Sequence, residues 1–163
     1  MANTKNRVIV GVADIEIRYP VGGVYVDAGY TEDGVTLEVA TDTADIEVEE
    51  ETVPIERVIT KETVAVTLNM AESSLFNIDK AIPGSLLAGA VISIGDGAIK
   101  EMSIRVTGTA PPPAALVTRT IEIPLATAVG TVGMPYRVGE KTVVPCRFEA
   151  LKGAAAACTI TDT

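Results

Sequence analysis

Apolar and polar residues alternate with a period of two along most of this chain, and that pattern constrains its fold more than any other feature. Successive side chains of an extended strand point to opposite faces, so strict alternation buries one face and leaves the other to water or a partner. Ile15, Ile17 and Tyr19 alternate with Asp14, Glu16 and Arg18, and Val35, Leu37 and Val39 with Thr36, Glu38 and Ala40. Val64, Val66, Leu68 and Met70 follow the same rule, as do Met102, Ile104 and Val106. Ile121, Ile123 and Leu125 make a further run, Val144, Cys146, Phe148 and Ala150 another, and a short strand is expected around Ile160. The chain is expected to be mainly β, a β-sandwich or a curved antiparallel sheet.

The period changes once. Ala71, Leu75, Ile78 and Ile82 fall at i, i+4, i+7 and i+11, on one face of a helix. Asn69 as N-cap with Glu72 three residues on, and Pro83-Gly84 as terminator, predict one flanking α-helix over residues 70–82. Turns are expected at residues 20–23, 32–34, 95–97, 108–113 and 139–141, where Gly, Pro and Asp cluster.

With 163 residues the chain has the length of one domain, 1–163, yet its apolar content is 47%, mostly Val, Ile, Ala and Leu, and its mean hydropathy is +0.33. A membrane or other subunits could absorb that surplus. The longest weakly polar stretch, residues 81–94, is broken by Pro83, Gly84, Ser85, Gly89 and Ser93. It is also shorter than the roughly 20 residues that a spanning helix needs. No membrane insertion is expected. The start, Met1 to Arg7, leads into Asp14 and Glu16 without a signal-peptide apolar region, so the chain is expected to be made and kept in the cytosol. Oligomerisation is the better destination for the apolar surplus.

There is no histidine, which removes imidazole triads, His-based zinc sites and the commonest general base. Cys146 and Cys158 have neither metal nor redox spacing and read as reduced, half-buried hydrophobes. Gly95-x-Gly97 lacks the remaining glycines and βα context of a phosphate-binding loop, and Pro111-Pro112-Pro113 reads as a stiff exposed connection. No catalytic residue, metal site or cofactor is expected.

Net charge is -9, a sign that repels nucleic-acid phosphates. Much of it lies in one segment whose alternation changes phase. Leu37 and Val39 are apolar at odd positions, Ile46 and Val48 at even ones, and a slip of one residue reverses which face is buried. A bulge or turn is therefore expected near residues 41–44, with a protruding acidic loop or hairpin over 41–54. Its carboxylates, Asp45, Glu47, Glu49, Glu50 and Glu51, have no glycine hinge for a calcium loop and nothing to raise one pKa above another. They keep a sticky β protein soluble or make a contact with a neighbour.

The order of pieces also carries a likeness. The Met1-Ala2-Asn3-Thr4-Lys5-Asn6 start, the Pro20-Val21-Gly22-Gly23 turn and above all Ala28-Gly29-Tyr30-Thr31-Glu32-Asp33-Gly34-Val35-Thr36-Leu37-Glu38 resemble the tail tube proteins of long-tailed bacteriophages. The resemblance continues through the acidic extension, the Val64 to Met70 strand, the helix, and Val143-Val144-Pro145-Cys146-Arg147-Phe148-Glu149-Ala150-Leu151. Pro111-Pro112-Pro113 corresponds to no feature of that family. The resemblance implies a structural virion protein, made in the host cytoplasm and located in the tail, whose six-copy rings stack into a tube. The inner strands would join into a ring-shaped β-barrel around a channel for DNA delivery. It implies tape measure, terminator and tip proteins as further partners, and DNA that passes without specific binding.

In that family a long loop between early strands reaches the adjacent ring, which places an inter-ring or inter-subunit contact on Thr41, Asp42, Asp45, Ile46, Glu47, Val48, Glu49, Glu50, Glu51 and Pro54. Glu38, Asp42, Glu122 and Glu149, polar positions of strands, are candidates to face the lumen, though the same positions fit a solvated outer face. A ring that pairs sheet edges removes exposed edges, and an acidic wall lets phosphates pass without the counterion release that drives binding to basic surfaces. The alternative class is a capsid decoration protein or another β-sandwich virion or surface binding module.

Overall fold

The computed structural model describes residues 13–49, 51–95, 97–110 and 118–163. The Met1 to Asn6 start, Glu50, Asp96 and Pro111-Pro112-Pro113 lie outside these residues. Ten strands and one helix follow in chain order among the described residues. They are β1 (Asp14–Arg18), β2 (Tyr25–Asp27), β3 (Thr31–Ile46), β4 (Glu56–Met70), α1 (Leu75–Ala81), β5 (Ser85–Ala88), β6 (Val91–Ile94), β7 (Met102–Thr109), β8 (Thr118–Val129), β9 (Val144–Ala150) and β10 (Thr159–Asp162). The protein is mainly β and every ladder among these strands is antiparallel.

Eight strands form one sheet in the order β2-β1-β7-β8-β9-β4-β3, with β10 on the first half of β8; β5 and β6 make a separate hairpin. The edge strands β2 and β3 lie at opposite ends of this order, yet only residues 28–30 join them. So short a link spans about 10 Å, and the sheet must roll until its edges approach. The edges do not pair, and the chain by itself forms a curved sheet and no closed barrel.

Inside the roll, the alternating positions meet in one core. Ile15, Ile17, Val66, Met70, Ile104, Ile123, Val144 and Phe148 are fully buried in it. Phe148 is the largest of these, and the remaining volume is filled by aliphatic side chains, mostly β-branched, together with Met70, Met102 and Leu68, as the scarcity of aromatics requires.

Three details depart from the sequence expectations. Residues 32–34 form no separate turn: β3 runs through them, and Asp33 and Gly34, both at positive φ (62° and 75°), are extra residues opposite the continuous step from Leu68 to Asn69. Leu125 is not a core residue. Met102 pairs with Ala126 and Ile104 with Ile123, so a bulge at Pro124 and Leu125 turns Ala126 and Ala128 inward instead. Pro124 has no N–H for the ladder, and its carbonyl takes the Ser103 hydroxyl at 2.8 Å.

The helix is shorter than expected and capped elsewhere. Asn69 stays in β4, paired with Glu32 on one side and Pro145 on the other, because two ladders hold that strand extended to Met70. Ser74 is the N-cap, its hydroxyl accepting from the Asn77 N–H at 3.2 Å. Pro83-Gly84 follows the last turn as expected. Leu75, expected on the buried stripe, is 42% exposed, and the helix instead buries Asn77, Asp79, Lys80 and Ala81.

Candidate assembly surface

The acidic segment is the far half of a long hairpin. The ladder between β4 and β9 covers only Ala65 to Met70, whereas that between β3 and β4 continues outward to Ile46 and Glu56. From Ala40 and Thr63 onward the two strands pair only with each other, as an arm that ends in the loop of residues 47–55 and whose base, at Thr60 and Glu62, borders the segment from Lys152 to Ala157. At the rise of an extended strand this free ladder is about 20 Å long. The loop closes with the Ile55 N–H on the Ile46 carbonyl at 2.9 Å and the Glu51 N–H on the Val48 carbonyl at 3.2 Å.

A register shift falls between Asp42 and Thr43, inside the window where the phase change demanded one. Its extra residue is on the partner strand: Asp42 pairs with Lys61 and Thr43 with Ile59, leaving Thr60 out of register with its hydroxyl on the Asp42 carbonyl at 3.1 Å. β3 therefore keeps its own alternation, and its apolar residues change face. Val35 and Leu37 pack against the core, while Ile46 shares the opposite face with Ala44 and Val58 by register. Beyond the core neither face of the arm has to be apolar, so nothing forces the strand to follow its hydrophobic pattern.

Apolar side chains stand exposed along this arm, with Ile59 at 66% and Val53 at 65%, and with Val39, Ile46, Val48, Ile55 and Val58 also open to solvent. Thr41 lies opposite Glu62, and Glu47, Val48, Glu49, Glu51 and Pro54 form the exposed tip; Glu50 lies outside the described residues. Asp45 is held by both nitrogens of the cross-strand Arg57 fork, one contact at 2.9 Å, and this guanidinium keeps its carboxyl below the ordinary range.

Glu38, Asp42, Glu122 and Glu149 all lie on the face of the sheet turned away from the core, and Glu38, Glu122 and Glu149 each have a side-chain partner there. Glu38, Ala65 and Glu149 sit in one row across β3, β4 and β9. Arg147 bonds both carboxylates, Glu149 at 3.2 Å and Glu38 more closely. Glu122 accepts from the Tyr25 hydroxyl at 2.6 Å. The Arg105 guanidinium lies 3.7 Å from the centre of the Tyr25 ring and also reaches Glu16 at 3.1 Å. Burial and then the bond to Glu122 raise the Tyr25 pKa. Asp42 faces Lys61 across the hairpin. On this face Glu16, Glu38 and Glu149 are ion-paired with arginines and Glu122 is bonded by Tyr25, while Asp42 is only a register neighbour of Lys61.

A second cluster escaped sequence reasoning. Asp79, 1% exposed, receives Lys80 on one carboxylate oxygen and Lys100 on the other, both at 2.6 Å, with the Ser85 hydroxyl at 2.8 Å. The Lys80 ammonium also lies 3.8 Å from the centre of the Tyr19 ring. Burial would raise the Asp79 carboxyl, but the bonds from Lys100, Lys80 and Ser85 outweigh it and hold it below its ordinary value. The cluster ties α1, β5 and the segment leading into β7 together. Lys100 is 21 residues from Asp79, so no local pattern could have paired them.

Cys146 is buried and Cys158 half-buried, and neither is bonded to the other. No helix among the described residues is long and apolar enough to cross a membrane. Searches of known family models and of curated protein sequences give no match.

Proposed function

We propose that this chain is a structural virion subunit, the tail tube protein of a long-tailed bacteriophage, whose hexameric rings stack into a channel for DNA delivery. The observation that carries the reading is the arm: a hairpin reaching beyond the sheet, with open apolar residues on both faces and no covering partner among the described residues. The residue-level resemblance around Gly29-Tyr30-Thr31-Glu32-Asp33-Gly34-Val35 supplies the family, and a rolled sheet with two unpaired edges suits joining to copies of itself.

With the outer face of the sheet toward the channel, phosphates meet two guanidiniums, those of Arg147 and Arg105, that are already paired with carboxylates. Arg147 is held by Glu38 and Glu149, and Arg105 by Glu16. Those carboxylates neutralise the two guanidiniums, so this face offers phosphates little net positive charge and DNA slides past without being held.

Replacing residues 43–60 by Asn-Gly joins the paired Asp42 and Lys61 through a two-residue turn and removes the arm tip. The expected product melts cooperatively and forms no stacked tubes. Tube formation equal to that of the full chain would overturn the reading.

A further inference from the structure

We infer that the arm tip of one copy docks on the loop of residues 131–142 of the next copy, in a head-to-tail contact. The inference rests on the reading of this chain as a stacking subunit and names the receiving surface, which that reading leaves open.

The two features lie at opposite ends of the same strand. β3 begins at Thr31, beside Met70 and Val144, where the connection from β8 to β9 emerges. It ends at Ile46, where the arm tip begins. At the rise of an extended strand, with Asp33 and Gly34 bulged out, the two ends are about 45 Å apart. The Lys141 ammonium, 3.0 Å from Glu32, ties the connecting loop to the first end. A contact between opposite ends of one molecule is heterologous and does not close on itself after two copies; repeated along β3 it stacks copies in one direction.

The surfaces are complementary in apolar character, and the loop, with Arg137 and Lys141 against Glu140, is positive where the tip is strongly negative. The tip offers Glu47, Glu49 and Glu51 around Val48, Val53 and Ile55, all exposed. The loop offers Arg137 and Lys141 beside Tyr136, 76% exposed, and Val138, which is fully exposed. Its two cations are held in place by exposed pairs, Arg137 with Glu140 at 3.5 Å and Lys141 with Glu32, and such pairs exchange partners at little cost. Tyrosine and arginine around an apolar centre are the residues that carry binding energy at protein interfaces. Both Val138 and Tyr136 stand open among the described residues, and the tip cannot fold back across the length of its own strand to cover them.

A charge swap in the full chain tests this. Glu47→Lys with Glu49→Lys and Glu51→Lys, and separately Arg137→Glu with Lys141→Glu, are each expected to raise the concentration needed for stacking about tenfold or more. The five changes together are expected to restore it, read by sedimentation velocity with circular dichroism as the folding control. If the parent stacks but the loop reversal has no effect, or the combined variant fails to recover, the receiving surface is wrong while the stacking reading stands. If the parent stays monomeric at every concentration, both fall. Should a charge variant not fold, Val48→Cys with Val138→Cys in a Cys158→Ser chain decides: oxidation is expected to give a ladder of covalently linked copies, and its absence overturns the docking.

Discussion

At the level of single residues, the buried carboxylate of Asp79 shows how much stability one group can govern. It sits between two ammoniums, and removing a partner from such a cluster leaves charges buried and unpaired. Asp79→Asn is expected to cost about 3–5 kcal/mol in chemical denaturation. The folded carboxyl titrates below its unfolded value of about 3.9, so its stabilisation is complete above that pH and is lost as pH falls through the folded value. The gap between parent and variant should therefore be full at pH 7 and shrink below about pH 4. The thiols offer a second check. Burial pushes Cys146 up to about 12 and also raises Cys158, which is only half-buried, so maleimide at neutral pH should label Cys158 first and reach Cys146 only on unfolding. Alternation marks Cys146 as a small core residue. It does not show that Asp79 and Lys80, on the polar side of the expected helix, meet Lys100, because that contact depends on where the β5–β6 hairpin returns the chain.

Secondary-structure elements are legible where burial alone sets the pattern. The core positions of β1, β4, β7 and β9 follow from period-two alternation, since each strand presents one face to the roll. Element boundaries shift where tertiary pairing competes with a local signal. Asn69 and Glu72 form a plausible cap in sequence, but the ladders on both sides of β4 keep Asn69 extended and pass the capping role to Ser74. Ser74→Ala should then cost about 1 kcal/mol, whereas Asn69→Ala should not shorten α1, as amide exchange in the first turn would report. Leu125 leaves the core because a proline bulge shifts the phase of β8 within one apolar run. The bulge at Asp33 and Gly34 needs positive φ at both residues. Gly34→Ala should therefore cost about 1 kcal/mol in the thermal or chemical melt.

For the whole molecule, the surplus of apolar residues has a place: the arm, the β5–β6 hairpin and the loop of residues 131–142 hold exposed aliphatic and aromatic side chains outside the core. The phase change in the sequence locates the arm, but alternation does not show that Thr60 on the opposite strand absorbs the shift. Net charge shows an excess of acid but not its pairing: on the outer face Arg147 is held by Glu38 and Glu149, and Arg105 by Glu16 and the Tyr25 ring. Changing Glu38 and Glu149 to Lys would free Arg147 and add two cations, and assembled particles carrying them are expected to eject DNA more slowly; unchanged ejection would contradict the sliding account. The most direct measurement is electron microscopy of the purified full chain at increasing concentration. Hollow tubes built of sixfold rings are the predicted result, and a chain that remains monomeric throughout would contradict the assignment.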